Sequence, residues 1–163
     1  MENKIDKIVI HHTGNSTEGR QFQTSNEYHR EKFNWQGSLG NWIAYHDFIE
    51  KDGTYIKGRA DIDGAPDELG HNFDGISVCL AGNFNTQLCT PAQLQTLGVL
   101  CYDLKRRYGL GLDKIFLHRE ITSTLCPGAN LTLRVVRIAT IKAESNQIKM
   151  SLLWIFEKLH LLR

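Results

Sequence analysis

The stretch KIVIHHTG (residues 7–14) is a β-branched apolar run that ends in two histidines, a threonine and a glycine. A short apolar run that stops in polar turn formers predicts a buried strand followed by a loop. We therefore expect a strand that begins at Lys7, with His11 and His12 at its end. Adjacent side chains of an extended chain point to opposite faces, so a structural role is expected for His12.

A hairpin and a capped helix are predicted farther along the chain. Asp52-Gly53 is a hairpin signal between the runs 43–50 and 54–57, because both residues tolerate positive φ. Thr90 is the expected N-cap of a helix that has Pro91 at its first position, Gln93 in a capping box and Gly109 after its last turn. Other predicted elements are a helix over 25–33, strands over 76–81 and 115–117, and a helical segment after 131.

Composition restricts the classes of protein that need to be considered. The chain has 163 residues, of which 41% are hydrophobic, and its formal charge is +1. This length fits one domain, and the balanced charge argues against a nucleic-acid partner. The four cysteines form no CxxC pair, so we expect them to be reduced. The start of the chain lacks the apolar core of a signal peptide, which predicts synthesis in the cytoplasm.

The segment after residue 131 differs in composition from the rest. It carries six basic and two acidic groups. Helical spacing predicts an amphipathic last helix. Packing of this helix on its own domain, in a monomer, is the favoured interpretation; self-association and membrane contact are the alternatives. Its apolar stripe consists of Leu152, Ile155, Phe156, Leu159 and Leu162.

Three residues could form a zinc site. His11 and His118 follow two predicted strands, and Cys126 lies in a Pro-Gly loop beyond the second. Zinc binds imidazole nitrogen and thiolate sulfur, and three protein ligands leave its fourth position open for catalysis. The spacing alone favours the simpler interpretation, in which His11 and His118 are strand-end polar residues and Cys126 is a small buried side chain.

Eight segments occur in the order in which they appear in one protein family. The chain resembles the type 2 N-acetylmuramoyl-L-alanine amidases, the zinc amidase fold of phage endolysins and peptidoglycan recognition proteins, over about residues 7–131. The most specific element is the His-Arg pair with Cys-Pro-Gly downstream. The segments are IVIHHT (8–13), AYHDFI (44–49), KDGT (51–54), GR (58–59), SVCLAGNF (77–84), TPAQ (90–93), and HRE (118–120) with TLCPG (124–128).

The resemblance implies a fold and a set of site residues. The fold is α/β, one domain over 1–163 with a central mixed β-sheet flanked by helices, and residues 132–163 form a helical extension. The implied zinc ligands are His11, His118 and Cys126, and Tyr45 is implied to point its hydroxyl at the reacting carbonyl. Thr124 stands where many phage members have a lysine, so its hydroxyl would replace a cation.

Three further residues are candidates for roles around the site. The resemblance places His71 near the substrate groove. His46 is either a support of the site and substrate or a core histidine with satisfied hydrogen bonds. Arg119 either anchors its loop or contacts substrate.

The function implied by the resemblance is hydrolysis of the amide bond between N-acetylmuramic acid and the L-alanine of the stem peptide. This is the reaction of a cell-wall lytic, antimicrobial hydrolase, which would reach peptidoglycan after phage lysis. One alternative is a peptidoglycan-binding module without activity, whose relatives typically lack the cysteine ligand. Another is a cytoplasmic amidase that recycles anhydro-muropeptides, a branch with an aspartate ligand and a glutamate partner. A third is a regulator of another protein.

Overall fold

The computed structural model describes residues 4–66 and 73–160, with side chains up to residue 151. Strands and helices are interspersed along the chain. In chain order they are β1 (Lys7–His12), α1 (Phe22–Phe33), β2 (Asp47–Ile49), β3 (Tyr55–Lys57), β4 (Gly75–Leu80), α2 (Pro91–Tyr108), a 3₁₀ turn (Leu112–Lys114), β5 (Ile115–Leu117), α3 (His118–Ile121) and α4 (Leu133–His160).

The five strands form one mixed sheet in the order β3-β2-β4-β1-β5. β1 pairs in parallel with both β4 and β5, β2 is parallel to β4, and only β3 is antiparallel. Every residue of β1 and β4 is buried, as expected for parallel strands covered on both faces. The mixed sheet predicted from the sequence is confirmed.

Alternate residues of β4 contribute to two separate cores. Val78 and Leu80 belong to the larger core, which α2 and α4 cover with residues such as Leu97 and Val136. Cys79 belongs to the smaller core on the opposite face, which Phe22 of α1 partly covers. The sheet is therefore flanked by helices on both faces, as predicted.

Helix α2 begins and ends where the sequence predicts. Thr90 accepts a hydrogen bond from the backbone N–H of Gln93, the Gln93 side chain completes the capping box, and Gly109 has a φ of 64°. α2 packs closely on α4, because a Cβ atom at Gly98 would lie 2.5 Å from the carbonyl oxygen of Ala139.

Helix α1 begins three residues earlier than predicted. The carboxylate of Glu50 accepts hydrogen bonds from the backbone N–H groups of Gln21 and Phe22 at 2.9 to 3.1 Å, at the start of the helix. The strand expected over 43–50 is confined to Asp47–Ile49. His118 does not lie in a loop but is the first residue of α3.

Helix α4 extends to His160 as one continuous element. The predicted stripe from Leu152 to Leu162 lies outside the described side chains. Within the described part of the chain, none of the helices combines the length and apolarity that crossing a membrane requires.

Candidate metal centre and active site

His11, His118 and Cys126 meet at one edge of the sheet. His11 is near the end of β1, and His118 directly follows β5, the parallel neighbour of β1. Because parallel strands bring their carboxyl ends to the same edge, the two rings lie 4.4 Å apart between centroids. Cys126 Sγ is 3.9 Å from His11 Nδ1, and one ligand atom from each residue lies within 4.8 Å of the others.

Arg119 holds the loop that carries the cysteine. Its backbone N–H donates to the carbonyl of Cys126 at 2.9 Å, and its guanidinium donates to the carbonyls of Gly128 at 2.7 Å and Leu131 at 2.9 Å. Gly128 has a φ of 98°, and a Cβ there would lie 2.3 Å from the carbonyl carbon of Phe84. Arg119 therefore anchors the loop, through backbone carbonyls rather than a salt bridge.

Hydrogen bonds from the backbone orient the thiol. The N–H of His12 donates to Cys126 Sγ at 3.4 Å, and the N–H of Cys126 donates to Thr124 Oγ1 at 3.2 Å. A donor at sulfur favours the thiolate, the form that binds metals. The ring of His12 accepts from the N–H of Phe84 at 3.1 Å, which is the structural role predicted for it.

The three residues fit a metal ion chemically. Two imidazoles and a thiol are ligand types that zinc uses, and tetrahedral zinc holds such atoms about 3.5 Å apart. Burial lowers the pKa of His11 to about 3, so its ring is neutral at pH 7, as metal binding requires. The observed spacing needs only small side-chain movements to match that geometry.

A cavity of about 330 Å³ opens above the three residues. Tyr45 lines it, with its ring centroid 5.2 Å from that of His11, and so does Thr124. The arrangement places a phenol and a hydroxyl beside the two histidines and the thiol. A polar group of a ligand can enter this cavity and reach the metal centre. The side chains of Tyr45 and Thr124 would then lie beside that group.

The sequence analysis overlooked two residues of α1. His29 lines the cavity, and its Nδ1 accepts the backbone N–H of Ala44 at 3.1 Å. Asn26, one turn earlier, accepts the N–H groups of residues 42 and 43 at 2.7 and 3.0 Å. The available signal was the row of Asn26, His29 and Phe33 at helical spacing on an otherwise polar helix.

His46 lies in the core. Its side chain is fully buried, Nδ1 accepts the N–H of Ser77 at 3.0 Å, and Nε2 donates to the carbonyl of Asp63 at 3.0 Å. Both ring nitrogens are thus used by the backbone, and His46 does not line the cavity. These hydrogen bonds fit the core alternative, and contact of His46 with substrate stays a prediction. His71 lies outside the described residues.

Comparison with known proteins gives concordant matches. The family described as N-acetylmuramoyl-L-alanine amidase (Amidase_2) matches residues 1–129. Peptidoglycan-recognition protein SC2 of Drosophila melanogaster is 32% identical over 139 residues, 80% of this chain and 72% of that protein. The endolysin of Klebsiella phage KP32 is 32% identical over 110 residues, 63% of this chain and 70% of that protein.

A solved structure agrees with these matches. The N-acetylmuramoyl-L-alanine amidase LysC from Clostridium intestinale superposes with a TM-score of 0.73 at 28% identity, covering 84% of this chain and 85% of that chain. The match to the family over residues 1–129, together with the fold and the arrangement of His11, His118 and Cys126, shows that the chain belongs to the N-acetylmuramoyl-L-alanine amidase family.

Proposed function

We propose that the protein is a zinc-dependent amidase that hydrolyses the bond between N-acetylmuramic acid and the L-alanine of the peptidoglycan stem peptide. The observation that carries this proposal is the convergence of His11, His118 and Cys126 on the floor of a cavity whose wall contains Tyr45. A cell-wall lytic role is consistent with the endolysin and amidase relatives.

His11, His118 and Cys126 would hold the zinc ion. When bound, zinc supplies Lewis acidity, which polarises an amide carbonyl and lowers the pKa of water to about 7. This matters because an amide is a poor electrophile and neutral water is a weak nucleophile. Three protein ligands would leave one coordination position of the zinc for water or substrate.

Tyr45 and Thr124 would act on the reacting amide. The phenol of Tyr45 can donate a hydrogen bond to the oxygen that gains negative charge when the carbonyl becomes tetrahedral. The hydroxyl oxygen of Thr124 accepts the N–H of Cys126, so its own proton can be donated towards the cavity. The leaving amine needs a proton, which the attacking water loses, and the hydroxyls of Tyr45 and Thr124 could relay it; the described side chains that line the cavity include no carboxylate.

Two alternatives are less well supported. A peptidoglycan-binding module without activity needs no third ligand, yet Cys126 lies in ligand geometry and its sulfur is hydrogen-bonded. A recycling amidase of the aspartate-ligand branch would place a carboxylate where Cys126 lies. The cysteine therefore favours a wall-lytic amidase over both.

The decisive experiment combines metal analysis with product identification. Purified protein is incubated with peptidoglycan, and new amino termini and new reducing sugar ends are quantified separately. We expect one zinc per chain and new L-alanine amino termini without new reducing ends. Saturable binding of peptidoglycan without new amino termini would contradict the proposal and favour the binding module.

A further inference from the structure

One wall of the cavity is formed by α1, and it carries a lysine. Tyr28, His29, Lys32 and Phe33 all line the cavity from this helix. Among the described residues that line it, Lys32 is the only Lys, Arg, Asp or Glu. The cavity therefore has one fixed positive side chain and no acidic side chain on its described walls.

A continuous row of rings connects the metal centre to this lysine. His11 contacts Tyr45 and Tyr45 contacts His29, each with ring centroids 5.2 Å apart; His29 contacts Phe33 at 5.4 Å. The ammonium of Lys32 lies 5.0 Å from the centroid of Phe33. A chain bound along this row would have its reacting amide at His11 and its distal groups near Lys32.

Aromatic rings rather than carboxylates surround the ammonium. Lys32 Nζ also lies 5.5 Å from the ring centroid of Tyr28, and within the described parts of the chain it forms no ion pair. Cation–π contacts restrain the position of an ammonium without neutralising its charge. Its three donors consequently stay available to an anionic group that enters the cavity.

We propose that Lys32 is a specificity-determining residue that binds a carboxylate of the stem peptide, an inference that rests on the proposed function. The scissile bond precedes L-alanine, so the rest of the stem extends away from the metal centre. Stem peptides offer carboxylates of two sources on that side: the α-carboxylate of a γ-linked glutamate at the second residue, and the side-chain carboxylate of a diaminopimelate at the third. The ammonium of Lys32 can pair with either carboxylate, because it acts as a compact point charge.

The test uses four soluble muramyl tripeptides. They combine glutamate or its α-amide at the second residue with diaminopimelate or lysine at the third, and all four carry a C-terminal amide, so each of the two carboxylates is removed separately. For the wild type we expect kcat/KM to favour a carboxylate at one of these positions by about fivefold, the scale of a solvent-accessible ion pair. Lys32→Met should abolish that preference through a rise in KM for the preferred peptides.

Two control variants separate charge from structure. Lys32→Arg should retain the preference, and Lys142→Met, an exposed lysine on α4 outside this cavity, should not alter it. The inference would be overturned if the preference persists in Lys32→Met. It would also be overturned if the wild type shows no preference for a carboxylate at either position.

Dissociation constants of the same peptides test the inference independently of hydrolysis. If the wild type cleaves none of the four peptides, the proposed function fails. In that case the inference holds only if the wild type binds the peptides with a carboxylate more tightly and Lys32→Met removes this difference in dissociation constant.

Discussion

The imidazole of His29 stands T-shaped against the ring of Tyr45, with centroids 5.2 Å apart and an interplanar angle of 77°. The same imidazole accepts the N–H of Ala44, and Asn26 accepts those of residues 42 and 43. Three consecutive backbone groups before Tyr45 are thereby attached to α1. The orientation of the phenol consequently depends on a helix on the other side of the cavity, as well as on its own segment.

Cys126→Ser should remove the metal and the hydrolytic activity, because a neutral hydroxyl replaces the only thiolate among the three ligands. Zinc content per chain and release of L-alanine amino termini are the measurements. Cys89→Ser is the matched control, since Cys89 is a half-buried thiol next to Gln93 and lies outside the cavity. Full zinc content in Cys126→Ser would show that the ligand set is wrong.

Tyr45→Phe should keep the fold and the zinc but lower kcat about a hundredfold, the effect of one lost oxyanion donor or proton-transfer group. The phenyl ring preserves the contacts with His11 and His29, so only the hydroxyl is tested. Steady-state kinetics and zinc analysis on the same preparation provide the comparison. An unchanged kcat would exclude Tyr45 from the chemistry.

Thr124→Lys should be tolerated if the resemblance to the many phage members with a lysine at this position extends to this loop. The lysine would lose the hydrogen bond that Thr124 accepts from the N–H of Cys126 but would bring a cation to the cavity. We expect zinc content to be retained and activity to be equal to or above that of the wild type. Complete loss of zinc would indicate that the loop here has a different geometry.

His29 should make stability depend on pH below neutrality. Burial lowers its pKa from 6.5 to about 4. Between these values the unfolded chain binds a proton that the folded chain does not, so the free energy of unfolding falls as pH drops from about 6.5 to about 4. His29→Asn keeps an acceptor for Ala44 but cannot titrate. It should reduce the slope by about one proton, roughly 1.4 kcal/mol per pH unit.

Urea unfolding of both metal-free proteins at several pH values measures this slope. Removing the metal from both keeps the contribution of the ligand histidines equal. Equal slopes in wild type and His29→Asn would mean that His29 is protonated in the folded state at these pH values.

Deleting residues 147–163 should lower the urea midpoint of unfolding, because we expect the last part of α4 to pack on its own domain. The described part of α4 already packs on α2, and Ala143 is buried there. Sedimentation and binding of the intact protein to anionic liposomes test the two alternatives. An unaltered unfolding transition after deletion would contradict packing; liposome binding at low salt would favour membrane contact.

Local signals predicted some elements well and others poorly. The limits of α2 follow from Thr90, Pro91 and Gly109, which act within one turn of the helix end that they define. The start of α1 could not be read in this way, because its first N–H groups are satisfied by Glu50, which is distant in sequence. His46 was ambiguous for the same reason: its partners, Ser77 and the carbonyl of Asp63, are brought to it only by folding.

The sequence by itself determined the strand that carries His11, the alternation that separates His12 from it, and the motif that links His118 to Cys126. These depend on the two-residue period of a strand and on neighbours close in the chain. Only the tertiary structure decided that His11 and His118 meet, because this requires β1 and β5 to pair in parallel. It also decided that His29 and Lys32 line the cavity, since the docking of α1 depends on backbone groups beyond its own sequence.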